Sequence, residues 1–176
     1  MRKKQSNWQR IAGLVLAVVL AVSFNPCHVL AAEEAVDFQV YRVTSEQGQN
    51  DADLYWTVFG GDENPNAREV HLFDCSIGFG YTSKGMHMEF VTHCSEQADE
   101  IGVSDVKIEH KVGIFWFNFA NGADASCKDD TYFHGQADYA GVEFGETYRV
   151  SCRHYAYIGE KYLYHDSVTS GYKCTY

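Results

Sequence analysis

"CSIGFGYTSKGMHMEFVTHC", residues Cys75 to Cys94, reads as two strands joined by a tight turn, and this reading decides the fold. Lys84-Gly85 is placed as the two-residue hairpin loop, because Gly supplies the positive φ that such turns require. Met88 then faces Tyr81, Phe90 faces Phe79, Thr92 faces Ile77 and Cys94 faces Cys75. Side chains alternate along a strand, so these residues share one face of the ribbon. His87, Glu89, Val91 and His93 fall on the other, opposite Thr82, Gly80, Gly78 and Ser76. One register separates an apolar side from a mainly polar one. The two cysteines align on a hydrogen-bonded pair, where Cα atoms lie about 5.5 Å apart, and a Cys75–Cys94 disulfide worth roughly 3 kcal/mol is expected.

The same stretch holds Met86, His87, Met88, His93 and Cys94, the side chains of a copper site. The alternation argues against one. Both methionines and Cys94 point to the apolar face, where sulfur side chains act as core fillers, and both histidines point away. His87 and His93 also stand about 20 Å apart at ~3.3 Å per residue, too far to share one ion.

Outward from the hairpin, the chain continues as short runs rich in Tyr, Phe, Val and Thr, separated by Gly, Asn and Asp clusters. That pattern predicts an all-β domain. Strands are expected at 36–43, 53–60, 68–82, 86–94, 106–112, 114–120, 131–137, 147–158 and 162–169. "TSEQGQNDAD", "GGDENPN" and "NGADASCKDD" read as loops, and only "SEQADEIG" (95–102) has the composition for a helical turn. The expected architecture is a single antiparallel β-sandwich of seven to nine strands closed by one or two disulfides.

The first residues place this domain outside the cell. Arg2, Lys3, Lys4 and Arg10 precede the apolar run Ile11 to Phe24, and "NPCHVLAAEE" follows. This is the order of a secretory signal peptide, with an apolar run too short to favour a membrane span. Residues 1–31 are assigned to the signal, with cleavage after Ala31, and 32–176 to the secreted domain. After cleavage ten Lys and Arg remain against 24 Asp and Glu, a net charge of −14. Such a surface repels nucleic acid and anionic membranes. Neither a nucleic-acid partner nor a membrane span after cleavage is expected. Five cysteines remain, so an odd thiol is left over and the pairing of Cys127, Cys152 and Cys174 stays open.

Near the C-terminus Tyr148, Val150, Cys152, His154, Ala156 and Ile158 alternate with Arg149, Ser151, Arg153, Tyr155 and Tyr157. A turn at Gly159-Glu160 sets His154 opposite His165 and Cys152 opposite Ser167. Two opposed imidazoles are a candidate start for a zinc or copper site, but a third ligand has no evident source. One buried and one surface histidine is the better reading. Tyr155, Tyr157, Tyr162 and Tyr164 are candidate ligand contacts, competing with a purely structural role as cross-strand pairs. Cys127 with His134 outlines a cysteine nucleophile, and Asn121, Asp124, Asp129 and Asp130 gather oxygen ligands for calcium. Neither matches a known pattern, so an ordinary cysteine and a solvated loop are preferred.

"FGETYRVSCRHYAYIGEKYLYH" resembles the last hairpin of immunoglobulin-like and fibronectin type III sandwiches, where a Gly turn leads into a tyrosine. "IGVSDVKIEHK", Trp116 and "GETYRVSCRHYAY" are similar to small exported β-rich proteins of Gram-positive bacteria that have no assigned activity. The resemblance implies export and a β-sandwich, and it carries over no catalytic residue. No catalytic residue and no cofactor is assigned. The expected function is that of a secreted, non-catalytic module binding an extracellular protein or glycan. The alternatives are a secreted bacteriocin or toxin-like antagonist, and a small metal-dependent or cysteine hydrolase.

Overall fold

The computed structural model describes residues 35–44, 54–60 and 70–175; the expected signal segment lies outside them. All of them belong to one compact unit. Its strands are β1 (Tyr41–Arg42), β2 (Tyr55–Gly60), β3 (Leu72–Thr82), β4 (Gly85–Val112), β5 (Phe115–Asn121), β6 (Ala125–Tyr139), β7 (Thr147–Ile158), β8 (Lys161–Val168) and β9 (Tyr172–Lys173). Every strand pairs antiparallel with its neighbours.

One strand organises the molecule. The first part of β4 pairs with β3 on one side and β6 on the other, giving the order β1-β6-β4-β3-β2. Its last part pairs with β5 and β7, and β7 carries β8 and β9. Where a sandwich is expected, the described residues form a single continuous nine-stranded sheet, with no separate hydrogen-bonded second sheet among them. Extended, the 28 residues of β4 would span about 90 Å at ~3.3 Å per residue. Register shifts between His93 and Ala98, Ser104 and Lys107, and Ile108 and Glu109 interrupt its ladders, and such bulges bend and twist a strand. Within the second shift Asp105 takes φ 52, a left-handed conformation that Asp tolerates better than most residues. The sheet folds over until β3 meets β7 and β8. Tyr55 stacks on Tyr172 at 4.1 Å, and the Tyr81 hydroxyl donates to the Tyr172 carbonyl at 2.9 Å. Ile77, Phe79, Met88, Phe90, Ile101, Val103, Ile108, Phe133 and Val150 fill the core between the two halves.

The deciding hairpin forms, in a different register. Its turn is Ser83-Lys84, with Thr82 paired to Gly85. The Thr82 hydroxyl accepts from the Lys84 N–H at 3.1 Å and donates to the Gly85 carbonyl at 3.2 Å, a local lock available to Ser and Thr. Gly85 does need positive φ, at 127°, but as the first residue of β4. A Cβ there would meet the Tyr139 carbonyl oxygen at 2.3 Å. Met88 consequently faces Phe79, Phe90 faces Ile77 and Thr92 faces Cys75. Partners change by two residues, which preserves the faces. The apolar and polar sides are those expected.

The disulfide expectation does not survive this register. Cys94 falls opposite Leu72, beyond a bulge, and is not the partner of Cys75. Among the described residues all five cysteines are buried, and Cys75, Cys94, Cys127 and Cys152 are free thiols. Burial, with Asp74 and Cys94 nearby, pushes the Cys75 thiol up to about 12.

Two local expectations are also corrected. "SEQADEIG" holds no helical turn, because β4 runs through it with Ala98 and Ile101 buried against β6. The expected loop "NGADASCKDD" becomes strand from Ala125 onward, paired to the same part of β4. Long-range pairing there overrides a turn-like composition.

Candidate functional site on the outer face of β7

The β7–β8 hairpin has the expected register, turning at Gly159-Glu160, where Gly159 takes φ 57. Its inward residues Tyr148, Val150, Cys152, His154 and Ala156 are buried. Outward, Tyr155 pairs with Tyr164 and Tyr157 with Tyr162. Three of these four candidate contacts form one surface: Tyr157, Tyr162 and Tyr164 are 43%, 41% and 57% exposed. Tyr157 stacks on Tyr162 at 4.7 Å, and Tyr162 on Tyr164 at 5.6 Å. Tyr155 differs, being buried beside β4, where its hydroxyl donates to Glu100 at 2.8 Å. Burial first, then this bond, raises the Tyr155 pKa. The Tyr155 hydroxyl, followed by Ser126, holds Glu100 below the usual carboxylate range.

Along β7 the tyrosines give way to two similar units. Arg153 lies 4.9 Å over the Tyr164 ring and donates from Nε at 2.7 Å and from its NH2 group at 3.1 Å to the two oxygens of Asp166. Four residues on, Arg149 lies 4.5 Å over Trp116 of β5 and binds both oxygens of Glu109, at 2.7 and 2.9 Å. In each unit a planar cation rests on an aromatic ring and a carboxylate fixes it by a two-pronged bond. At ~3.3 Å per residue the units stand about 13 Å apart. Between them lies an open groove of about 430 Å³, lined by Lys107, Ser151 and Asp105 with the two ion pairs. Asp166 is held below the usual carboxylate range by Arg153. Guanidinium does not titrate near neutrality, so the two arginines give this face fixed charges and hydrogen-bonding edges.

The other candidates do not converge. His154 opposes His165 as expected. His154 is fully buried, with Nδ1 2.8 Å from the Thr92 hydroxyl and Nε2 3.4 Å from Cys152 Sγ, while exposed His165 packs on Phe59. Burial, then His165, lowers the His154 pKa to about 3, and burial raises Cys152 well above its ordinary value. The pair is thus neutral, the reverse of an activated thiolate–imidazolium couple. Cys127 points to the Tyr132 carbonyl, and burial raises its thiol too, while His134 pairs with Glu89. Asp124 accepts from the Asp105 N–H and Asp130 pairs with Arg42, so the calcium candidates are turned to separate tasks. Among the described residues no three or more His, Cys, Asp or Glu are grouped to hold a metal ion.

Two arrangements went unread in the sequence. The sequence shows Trp116 without its Arg149 and Glu109 partners, because only the β5–β4–β7 register joins them. On the polar side of the first hairpin, Glu89 accepts from Gln136 at 3.1 Å and lies 3.4 Å from His87 and 3.2 Å from His134. His87 also meets Asp138 at 2.8 Å. The alternation of His87 and Glu89 signalled a polar face, and β6 supplies the partners that closed over it. No protein-family model, curated protein or solved structure matches the chain.

Proposed function

We propose that the chain is a secreted, non-catalytic binding module whose outer β7 face takes an extended, uncharged glycan. The repeated Arg-on-aromatic unit carries this reading, with the stacked tyrosines continuing the face beyond Tyr164. Aromatic faces suit the apolar sides of sugar rings, and hydroxyls suit rigid guanidinium and carboxylate edges. Both ion pairs are already satisfied, which favours a neutral ligand over a charged peptide. A protein partner would anchor side chains in pockets, whereas these rings lie in an open surface. The N-terminal sequence supports export, and the folded-over sheet supports reading the domain as an immunoglobulin-like sandwich.

The test is native electrophoresis of the processed protein through gels containing soluble neutral polysaccharides, followed by titration calorimetry with oligosaccharides of the one that retards it. Tyr164→Ala and Trp116→Ala are each expected to weaken binding roughly tenfold, the scale of one lost aromatic contact. The proposal fails if no polysaccharide retards the protein, or if both variants are retarded as the parent is.

A further inference from the structure

The β4–β5 hairpin ends in exposed apolar side chains. Val112, Ile114, Phe115, Phe117 and Phe119 are 53%, 82%, 63%, 54% and 37% exposed, so exposure peaks at the turn and declines toward the base. At the base Phe119 already packs on Tyr148, His110 and Tyr139. A Cβ added to Gly113, at the tip, would have no atom within 4 Å. The tip projects clear of the domain. From His110 to Ala123 the chain has no acidic residue, although it contains 24 in all, and Lys111 is the single charge there.

We propose that this tip is a membrane wedge, inserting Val112, Ile114 and Phe115 into the surface of an electrically neutral phospholipid bilayer. A second copy joined along the edge of β5 would place the most exposed apolar residues in the middle of the strand, whereas here they sit at the turn. Behind the tip stands Trp116, with Lys111 5.8 Å and Arg149 4.5 Å from its ring centre. Trp and Lys are the residues that settle at headgroup level. Two to three residues separate them from Ile114, about 7–10 Å at ~3.3 Å per residue, which matches the depth of interfacial insertion. The acidic remainder of the domain is repelled by anionic lipid, so the partner surface is zwitterionic. The inserting residues Val112, Ile114 and Phe115 lie outside the proposed glycan face, which meets the wedge only at Trp116 and Arg149.

The experiment is flotation of the processed, exported protein with phosphatidylcholine vesicles, in a Trp56→Phe background so that fluorescence reports Trp116. Co-flotation is expected, with a blue-shifted emission quenched by bromine on the lipid chains. Ile114→Asp and Phe115→Asp should each lower partitioning roughly tenfold. Both sites are exposed, so their unfolding temperatures should match the parent's. No flotation, or flotation unchanged in both variants, overturns the proposal. So does a concentration-dependent dimer in lipid-free buffer that Ile114→Asp disperses, since a second copy would then cover the tip.

Discussion

His154 is neutral because burial strips its water and the facing His165 opposes a second positive charge. Its folded pKa of about 3 lies below the 6.5 of an exposed imidazole, so the unfolded chain binds the proton more readily between those values. The stabilisation is fully present above pH 6.5 and is lost progressively as pH falls toward 3. It amounts to roughly 5 kcal/mol as an upper bound. Urea midpoints measured from pH 7 to pH 4 should fall for the parent and fall less for His154→Gln; equal slopes would remove His154 as the cause. The neighbouring Cys152 is buried with its thiol raised. Iodoacetamide at neutral pH should therefore label Cys152 only as fast as the protein unfolds, and peptide mapping after brief exposure would reveal faster reaction. The alternation that turned both residues inward was legible in the sequence. Their mutual neutrality was not, because burial depends on β3 and β4 lying above them.

At the scale of elements, two glycines with positive φ are expected to behave differently. Gly85 takes φ 127, and a Cβ there would meet the Tyr139 backbone at 2.3 Å, whereas Gly159 takes φ 57 with open space around it. Gly85→Ala forces β4 away from β6 and should cost several kcal/mol, on the order of 3 or more. Gly159→Ala meets only the left-handed backbone penalty, about 1 kcal/mol. Denaturant midpoints of the two variants test this, and equal losses would contradict the tight β4–β6 approach. The need for Gly85 was legible and its placement was not: the Thr82 hydroxyl closes the turn one residue earlier. Tyr157, Tyr162 and Tyr164 were readable from alternation alone. Tyr155 was not, because its burial comes from β4, distant in sequence.

At the scale of the molecule, β4 and β6 run through both halves of the sheet, so neither half can open without breaking their ladders. Unfolding should therefore be a single transition. Far-ultraviolet circular dichroism and near-ultraviolet signals from the packed tyrosines should give coincident curves in urea. Two separated transitions would mean that the halves fold independently. The same continuity carries Trp116 and Arg149 to one end of the face that begins at Tyr157.

By itself the sequence determined the all-β class, most strand positions, and which side chains share a face. These follow from a period of two that neighbouring residues enforce on one another, and a slip of two residues leaves them intact. Only the tertiary structure decided that two expected strands are one bent β4, that Cys75 and Cys94 are not opposed, and that Arg149 and Arg153 each lie on a ring from another strand. Those outcomes turn on register and bulges, where a one-residue change in the turn costs little locally and is settled by packing far along the chain.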